Sequence, residues 1–369
     1  MPKGRNHGLL IAGGGIAASL AALAMARLRP EIPFMLVADT PSPGGGRTLM
    51  LQDDGLSEEE RALAEPVIAA SWDAQYAAFP GRGRKLKLSC HCITSDRVEA
   101  ALRAAIPPER LRLGEKIVAV RDTSLLLPGG ETILGDGALD SRPLAQQTTL
   151  DLGWRRTVAR LYRFAAAHRV DLPVSVDSTL EDGQGCGFFS LIPFGADRLL
   201  VERVDYGAAH EPDAAAAGAA IDLYLAARGW AAGTIEREEL SSQPVALGGD
   251  FEAYWRIGGA RVAKLGSRGG FFHPASGSPL PDALRTAIWL TRQRDFSGPA
   301  LHDSFEEQAM NLWKKRDFYR GFARLLLRSG RGGAALAGLY GLDAPVVGRF
   351  EAETLGLFDR RRIAAATEG

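Results

Sequence analysis

The sequence predicts a protein of the α/β class with an α+β second lobe and a helical C-terminal region. Three observations support this prediction. A strand–turn–helix pattern occupies residues 8–28, strand-like segments dominate residues 174–206, and helical patterns prevail after residue 282. A chain of 369 residues is also too long for one small core, which favours two packed lobes.

The strand–turn–helix pattern contains a phosphate-binding motif. An apolar strand ends at three glycines, and Gly13, Gly15 and Ala18 have the G-x-G-x-x-G/A spacing. The first glycine permits a tight turn, the second lets the backbone approach a pyrophosphate, and the small third residue lets the helix pack closely. The N-terminus of the helix presents free N–H groups to the phosphates. The motif predicts a Rossmann-type domain that binds a dinucleotide.

Two other interpretations of this stretch are a membrane span and a signal peptide. Its length suits a bilayer, and Lys3 and Arg5 precede it. However, each glycine in mid-helix costs about 1 kcal/mol relative to alanine. The stretch also leads directly into a second apolar strand at residues 34–37. The nucleotide-binding interpretation is therefore preferred.

The overall composition is that of an ordinary globular protein. Lys plus Arg equals Asp plus Glu at 44 each, so no global field favours nucleic acid. The basic run at residues 82–87 is interpreted as a solvated face. Three cysteines in no paired pattern predict neither a disulfide framework nor a metal site. These features predict an intracellular protein without a nucleic-acid partner.

Two residues beyond the glycine turn are candidates for cofactor contacts. Asp39 follows the second strand, near the distance of about 20 residues at which an acid binds the ribose hydroxyls. Arg47 ends the glycine-rich loop of residues 41–48, where it faces either a phosphate or the solvent.

The region between residues 57 and 140 predicts two helices and a set of short strands. A capping box at Ser57 opens a helix that is expected to reach Phe79 with a kink at Pro66. A second helix follows Thr94 and ends near Ala105. Short strands are expected over residues 116–140.

The second lobe contains the candidate acid Glu202. Residues 174–179, 187–192 and 198–206 are predicted strands, and the alanine-rich residues 213–228 form a predicted helix that ends at Gly229. Strand alternation places Glu202 on one face with apolar residues. Burial there would raise the pKa of its carboxyl, as a general acid requires. The alternative is an edge strand with an exposed Glu202.

The C-terminal third combines a histidine loop with several helices. His273 lies in a glycine- and proline-rich loop before a helix predicted over residues 282–291. A further helix is expected to begin at a capping box at Ser304. Four arginines spaced four apart then form one helical face, which indicates either a membrane-binding helix or a core helix with a basic edge. These are Arg316, Arg320, Arg324 and Arg328.

These segments suggest five regions in the chain. Residues 1–80 and 251–295 are assigned to the nucleotide-binding domain, and residues 81–150 to a mixed segment that returns to it. Residues 151–250 form the predicted substrate domain, and residues 296–369 the helical region.

Several motifs in this order resemble the bacterial lycopene β-cyclases. They include GGGIAASLAALA at 13–24, PSPGGGRT at 41–48, FPGRGRKLKLSCHCITSDR at 79–97, ALDSRP at 138–143, IPFGADRLLVERVDY at 192–206, RGGFFHPASGSPLP at 268–281 and LWKKRDFYRGFARLLL at 312–327. The resemblance covers nearly the whole chain.

The resemblance implies a flavoenzyme that forms β-ionone rings at the ψ ends of lycopene without net redox change. It implies FAD in its reduced form, NAD(P)H as the reductant and Glu202 as the essential carboxylate, with His273 in the catalytic set. Asp140 and Gly277 join Gly13, Gly15, Ala18, Asp39 and Arg47 in the implied FAD site, and no metal is implied. The lipid-soluble substrate implies a cytoplasmic protein peripheral on the inner face of the cell membrane.

Some pocket positions depart from the family pattern. Ala38 stands where the family has its ribose-binding acid, and Arg203 follows Glu202 in place of an acid. Other departures are Gly46, Arg47, Leu49, Leu51, Gln52, Cys90, Ser190, Ser276 and Ser278. Two alternatives therefore stay open: an FAD-dependent monooxygenase or oxidoreductase on another apolar substrate, and a catalytically degenerate protein that binds a carotenoid or flavin.

Overall fold

A computed structural model describes residues 7–144, 148–180, 186–230, 233–257, 261–328 and 330–367. The strands in chain order are β1 Leu9–Ala12, β2 Phe34–Ala38, β3 Leu49–Gln52, β4 Ile68–Trp72, β5 Gln75–Phe79, β6 Arg82–Leu86, β7 Cys90–Ile93, β8 Leu111–Leu113, β9 Ala119–Arg121, β10 Ser124–Leu126, β11 Thr132–Leu134, β12 Gly137–Asp140, β13 Leu150–Arg163, β14 Val174–Asp177, β15 Gly187–Pro193, β16 Arg198–Gly207, β17 Thr234–Gly249 and β18 Ala263–Lys264. The helices are α1 Ile16–Leu28, α2 Glu58–Ala64, α3 Ser95–Ala105, α4 Ala214–Ala227, α5 Phe251–Arg256, α6 Leu280–Thr291, α7 Gly298–Lys315, α8 Asp317–Leu327, α9 Gly332–Gly341, α10 Ala344–Glu351 and α11 Leu357–Thr367.

A parallel sheet forms the nucleotide-binding part of the fold. Its five strands have the order β18-β12-β1-β2-β8. Strands β1, β2 and β12 are buried along their whole length, as expected for a parallel sheet that is covered on both faces. Helix α1 packs against α3 and α6 on one face, and the antiparallel strands β9, β10 and β11 lie near the other. The predicted α/β fold is confirmed.

A larger, mainly antiparallel sheet forms the second part. Its seven strands have the order β17-β13-β16-β15-β14-β5-β6, and only β14 and β5 pair in parallel. Strands β13 and β17 run antiparallel over most of their 14 and 16 residues. Neither was predicted, because their arginines and glutamates obscure the alternation of apolar residues. A third sheet, β3-β7-β4, has three strands.

The helix predicted over residues 57–79 is wrong beyond residue 64. Ser57 and Glu60 form the predicted capping box, but α2 ends at Ala64. Pro66 lies in a short 3₁₀ turn, and β4 and β5 follow. The physical reason is that proline lacks the N–H that would continue the helix. The burial of β5 then alternates with the period of a strand.

The predicted domain boundary after residue 80 falls in the β5–β6 hairpin. The division of the chain into five regions stays a prediction.

The helix predicted to begin at Ser304 starts six residues earlier in the structure. Helix α7 begins at Gly298, and Pro299 occupies its first turn, where proline is favoured. Ser304 lies inside the helix and bonds to Trp289 and Gln293.

Helices α8, α9 and α10 pack over one face of the seven-stranded sheet. Their apolar residues share a core cluster with Val204 and Phe188 of β16 and β15. The C-terminal helices therefore form a roof above the sheet, and the space between them is the second of the two cavities described below.

Candidate active site

The glycine turn after β1 opens on a cavity at the carboxyl edge of the parallel sheet. Gly13 has φ +129°, and a Cβ there would lie 2.7 Å from the Ser141 carbonyl oxygen. Gly15 differs, because a Cβ there would meet nothing within 4 Å. No side chain caps the N-terminus of α1. The turn thus leaves backbone N–H groups facing open space.

This first cavity has a volume of about 900 Å³, including space open to solvent. It is lined mainly by small residues from several separate segments of the chain. These include Gly15, Ile16, Ala17, Gly44, Gly45, Arg47, Ser141, Ser267 and Gly277. Gly44, Gly45 and Gly46 all have positive φ, and the Gly44 N–H donates to the Gly14 carbonyl. This bond holds the loop of residues 41–48 beside the turn.

The other predicted cofactor residues occupy different positions around this edge. Asp39 is exposed directly after β2. Ala18 is fully buried in α1 and faces the core, where its small side chain permits close packing. Asp140 ends β12, and its carboxylate accepts two bonds from Arg142 at 2.9 and 2.8 Å. Gly277 has φ +66° and its carbonyl accepts a bond from Gln243.

A second cavity, of about 1240 Å³ including space open to solvent, lies between the seven-stranded sheet and the roof helices. Arg47, Ser241 and Gln243 line both cavities, so the two adjoin. The roof contributes an apolar wall made of Phe322, Leu326, Leu336, Leu339 and Phe350. The sheet contributes about half of the polar lining residues.

Glu202 lies on the sheet wall of this second cavity. It pairs with Ala159 of β13 and Ser190 of β15, and Ala159 pairs with Glu239 of β17. These four residues form one row across the inner face. Glu202 is only 8% exposed, so the alternative of an exposed edge strand is wrong. Burial raises the pKa of its carboxyl, although Arg155 and a hydrogen bond from Ser190 oppose the rise.

Two arginines provide positive charge near Glu202. Arg47 is half-buried where the cavities meet, and burial lowers the pKa of its guanidinium to about 10. Arg155 lies four residue pairs further along the sheet, between Tyr206 and Gln243, and donates to the Gln243 side chain at 2.7 Å. Both charges favour the ionised form of Glu202. Burial therefore favours the protonated form of Glu202, whereas the two nearby cations favour its ionised form.

Arg203 does not share the face of Glu202. Its guanidinium donates to Asp205 at 2.7 Å and lies over the ring of Phe189, 5.1 Å from the centroid. Adjacent residues of a strand point to opposite faces, which explains this separation. The departure at residue 203 therefore leaves the cavity wall unchanged.

His273 is buried and bonded at both ring nitrogens. Nδ1 accepts from the backbone N–H groups of Ala275 and Ser276, and Nε2 donates to the Phe350 carbonyl at 3.1 Å. Burial lowers the pKa of the imidazole, which agrees with a neutral ring in this tautomer. The ring does not line either cavity. Its geometry links the loop of residues 273–278 to the C-terminal end of α10.

Two of the four arginines of the predicted face are internal. Arg316 is buried and its guanidinium binds Asp282 and Glu353, both at 2.9 Å or less. Arg320 is buried against Trp313 and bonds to Asp317. Only Arg324 and Arg328 are exposed. Arg316 and Arg320 thus connect α8 with its neighbours, and the four arginines do not form a continuous basic surface.

Several cavity residues were missed by the sequence analysis. Arg155 lies on the unpredicted strand β13 and Gln243 on the unpredicted strand β17, and Tyr340 and Glu351 come from the roof. Recognition of β13 as a strand would have placed Arg155 on the inner face. No sequence signal indicated Tyr340 or Glu351, because their places depend on how the roof helices pack.

The arrangement of a parallel sheet, a larger antiparallel sheet and a helical roof is a fold that known structures of low sequence identity share. A flavin-dependent halogenase from Xanthomonas campestris superposes with a TM-score of 0.64 at 12% identity, covering 99% of this chain and 95% of that chain. A geranylgeranyl bacteriochlorophyll reductase-like protein from Thermoplasma acidophilum superposes with a TM-score of 0.61 at 11% identity, covering 98% and 96%. These similarities concern the fold.

Sequence comparison identifies the family. Residues 8–368 match the family model described as "Lycopene cyclase protein". The lycopene beta-cyclase of Pseudescherichia vulneris is 30% identical over 358 residues, which cover 96% of this chain and 92% of that protein. The lycopene beta-cyclase of Paracoccus sp. is 30% identical over 371 residues, with 97% and 93% covered. The chain belongs to the lycopene cyclase family.

Proposed function

We propose that the protein is a lycopene β-cyclase that forms β-ionone rings at the ψ ends of a linear carotenoid, by acid-initiated cyclisation without net redox change. The observation that carries this proposal is Glu202, a buried carboxyl in an apolar cavity that adjoins the glycine-lined cavity. Family membership supplies the substrate class.

The glycine-lined cavity fits FAD. Gly15 leaves room for a close approach to the α1 N-terminus, which attracts a pyrophosphate. Gly13, Gly15 and Ala18 would form the turn, and Asp39 would bind the ribose. Arg47 and Gly277, which line the cavity, would surround the remainder, with Asp140 next to the lining residue Ser141. Reduced FAD, with NAD(P)H as its reductant, would supply an electron-rich group that stabilises a nearby cation.

Glu202 serves in this proposal as the proton donor. Its protonated carboxyl would deliver a proton to the terminal double bond of the ψ end, and ring closure by the next double bond would move the positive charge onto the ring. Burial favours the neutral, proton-bearing form of Glu202 before the reaction. Arg155 and Ser190 stabilise the carboxylate that remains afterwards.

The apolar wall has a protective role. A carbocation reacts with water, so the cavity must keep water from the ring-forming end. The roof helices provide this with Phe322, Leu336 and Phe350. His273 holds the roof to the histidine loop by its bonds to Phe350, Ala275 and Ser276, so we assign it a positioning role.

We further propose a cytoplasmic protein that binds the inner face of the membrane through the start of α11. Leu357 and Phe358 are 78% and 73% exposed. Arg360, in the same helix, lines a groove with Lys314 and Lys315. Exposed apolar side chains beside cations suit an anionic lipid surface. None of the described helices is long and apolar enough to cross a membrane.

Expression in a lycopene-accumulating bacterial host tests the cyclase proposal. Chromatography of the pigments should show β-ring products with the wild type and a loss of about 10²-fold or more with Glu202→Gln. Glu238→Gln is the matched control, because Glu238 lies next to Glu239 on the outer face and bonds Arg160. A folded, flavin-loaded wild type that makes no β rings would refute the proposal. NAD(P)H and oxygen consumption in that case would favour a monooxygenase, and neither activity would favour a binding protein.

A further inference from the structure

A groove where α7, α8 and α11 meet carries more positive than negative side chains. It has a volume of about 1140 Å³, including space open to solvent. Its charged lining residues are Arg285, Lys314, Lys315, Arg316 and Arg360, against Asp317 and Glu353. None of its described lining residues belongs to the two cavities of the candidate active site. This basic groove is therefore a separate site with a net positive charge.

Three cations of the basic groove have no acidic partner. Arg316 is paired with Glu353 at 2.5 Å, so its charge is neutralised within the protein. Among the residues that the structure describes, no carboxylate lies within 4.0 Å of the charged nitrogens of Lys314, Lys315 or Arg360. The two lysines are exposed and Arg360 is half-buried. These three charges are available to an anion from outside the chain.

Two buried donors in the wall of the groove also lack a partner. Tyr319 is only 2% exposed, and no described residue accepts the proton of its hydroxyl. The Leu355 backbone N–H approaches this oxygen as a donor, and Arg360 and Glu353 of the groove interact with it electrostatically. The Nε of Arg360 is likewise buried and unpaired. Because an unsatisfied buried donor is costly, both groups indicate an acceptor that binds in the groove.

The basic groove is rigidly held by contacts beneath it. The Arg316 guanidinium joins Asp282 of α6 to Glu353, at 2.7 and 2.5 Å. Arg285 donates to the Ala352 carbonyl at 3.0 Å. Glu353 has φ +59°, a left-handed conformation that a residue with a side chain adopts only at a cost. These contacts fix α6, α8 and the segment before α11 to one another, so the groove is preformed.

Exposed apolar side chains border the basic groove at α11. Leu357 and Phe358 are 78% and 73% exposed. Leu357 lies one helical turn before Arg360, so the two side chains share a face of α11. A free phosphate would use only the cations. A phospholipid would also bring its acyl chains to the apolar side chains, so the surroundings favour a lipid as the source of the anion.

We propose that the basic groove binds the phosphate of an anionic phospholipid, an inference that rests on the proposed membrane binding through α11. Lys314, Lys315 and Arg360 would bind the phosphate oxygens, and the Tyr319 hydroxyl would donate its free proton to one of them. The lipid would thus occupy one defined position, with its acyl chains beside Leu357. This is more specific than the general attraction of a basic surface to an anionic membrane.

Sedimentation with vesicles of phosphatidylcholine and phosphatidylglycerol tests the site. Tyr319→Phe removes one hydroxyl and no charge, and it should weaken binding about threefold to tenfold. Arg360→Gln should weaken binding at least about tenfold. Arg361→Gln is the matched control, because Arg361 is the exposed neighbour of Arg360 and does not line the groove. Loss of its charge should weaken binding by about fivefold or less.

Equal losses in Arg360→Gln and Arg361→Gln, or unchanged binding by Tyr319→Phe, would overturn the inference. Thermal melting of each variant shows whether it is folded. If Tyr319→Phe does not fold, the comparison of Arg360→Gln with Arg361→Gln decides.

Soluble probes separate the two sources of phosphate. Dihexanoyl phosphatidylglycerol below its micelle concentration should raise the melting temperature of the wild type, and raise that of Tyr319→Phe less. Inorganic phosphate at the same ionic strength should raise it little. An equal rise with inorganic phosphate would overturn the assignment to a lipid.

The outcome for α11 distinguishes this inference from the membrane proposal. If replacement of Leu357 and Phe358 by Asp abolishes vesicle binding while Tyr319→Phe and Arg360→Gln bind as the wild type does, the groove inference fails and the membrane proposal stands. If the wild type does not bind anionic vesicles, both fail.

Discussion

The carboxylate of Glu239 accepts two hydrogen bonds from Thr48, from the backbone N–H at 2.6 Å and from the hydroxyl at 2.9 Å. Thr48 follows Arg47 in the loop beside the glycine turn, and Glu239 lies on β17 of the large sheet. Arg237 also binds this carboxylate, at 2.8 Å. This buried contact therefore fixes Arg47 relative to the row that contains Glu202.

Thr48→Val should destabilise the protein because it removes one hydrogen bond to a buried charge. We expect a loss of about 1.5–3 kcal/mol in the free energy of unfolding, measured by chemical denaturation. The exposed Thr132→Val on β11 should change it by less than about 0.5 kcal/mol. Equal effects of the two changes would contradict the anchoring role of Thr48.

Ser190→Ala should move the pH profile of ring formation. Glu202 donates a proton in the proposed mechanism, so activity should fall as the pH rises through the pKa of its carboxyl. Ser190 bonds the carboxylate and lowers this pKa. Its removal should raise the pKa and shift the falling limb to higher pH. Initial rates of the purified, flavin-loaded enzyme measure this, with Ser124→Ala on β10 as control. If the falling limb of the pH profile does not move in Ser190→Ala, Glu202 is not the proton donor whose titration limits the activity.

Gly15→Ala should separate cofactor binding from folding. Gly15 has φ −75°, which alanine adopts readily, and its added Cβ would project into the glycine-lined cavity. We expect unchanged thermal stability and a flavin affinity reduced by about tenfold or more, read from the flavin absorbance after gel filtration.

Gly13→Ala is the matched comparison. Its φ of +129° and the approach of a Cβ to the Ser141 carbonyl oxygen strain the fold itself, at a cost of about 1–3 kcal/mol. Full flavin occupancy in Gly15→Ala would place the cofactor elsewhere.

Replacement of Leu357 and Phe358 by Asp should weaken binding to anionic vesicles. Burial of one large apolar side chain contributes about 1.5–3 kcal/mol, so the double variant should bind at least about tenfold more weakly in a sedimentation assay. Leu223→Asp on α4 is the control, because Leu223 is 72% exposed and distant in the chain. A similar loss in both variants would mean that binding is not localised to α11.

Several features of the site were predictable because they depend on local sequence. The glycine turn, the capped helices α3 and α4 and the separation of Glu202 from Arg203 follow from spacing, capping and strand alternation. The local sequence left open whether the basic face of α8 belongs to a membrane-binding helix or to a core helix with a basic edge. Helical spacing aligns Arg316 with Arg328, but it does not indicate that Asp282 and Glu353 lie beside Arg316.

The sequence by itself therefore determined the family, the nucleotide-binding turn and the face of the strand that carries Glu202, since these depend on residues close together in the chain. The tertiary structure alone decided which groups surround that carboxyl. Ser190, Arg155 and Glu351 come from three separate elements, and strand register and helix packing bring them to one cavity. Burial in that cavity sets the pKa of Glu202, because the cost of an ionised carboxyl depends on everything packed around it.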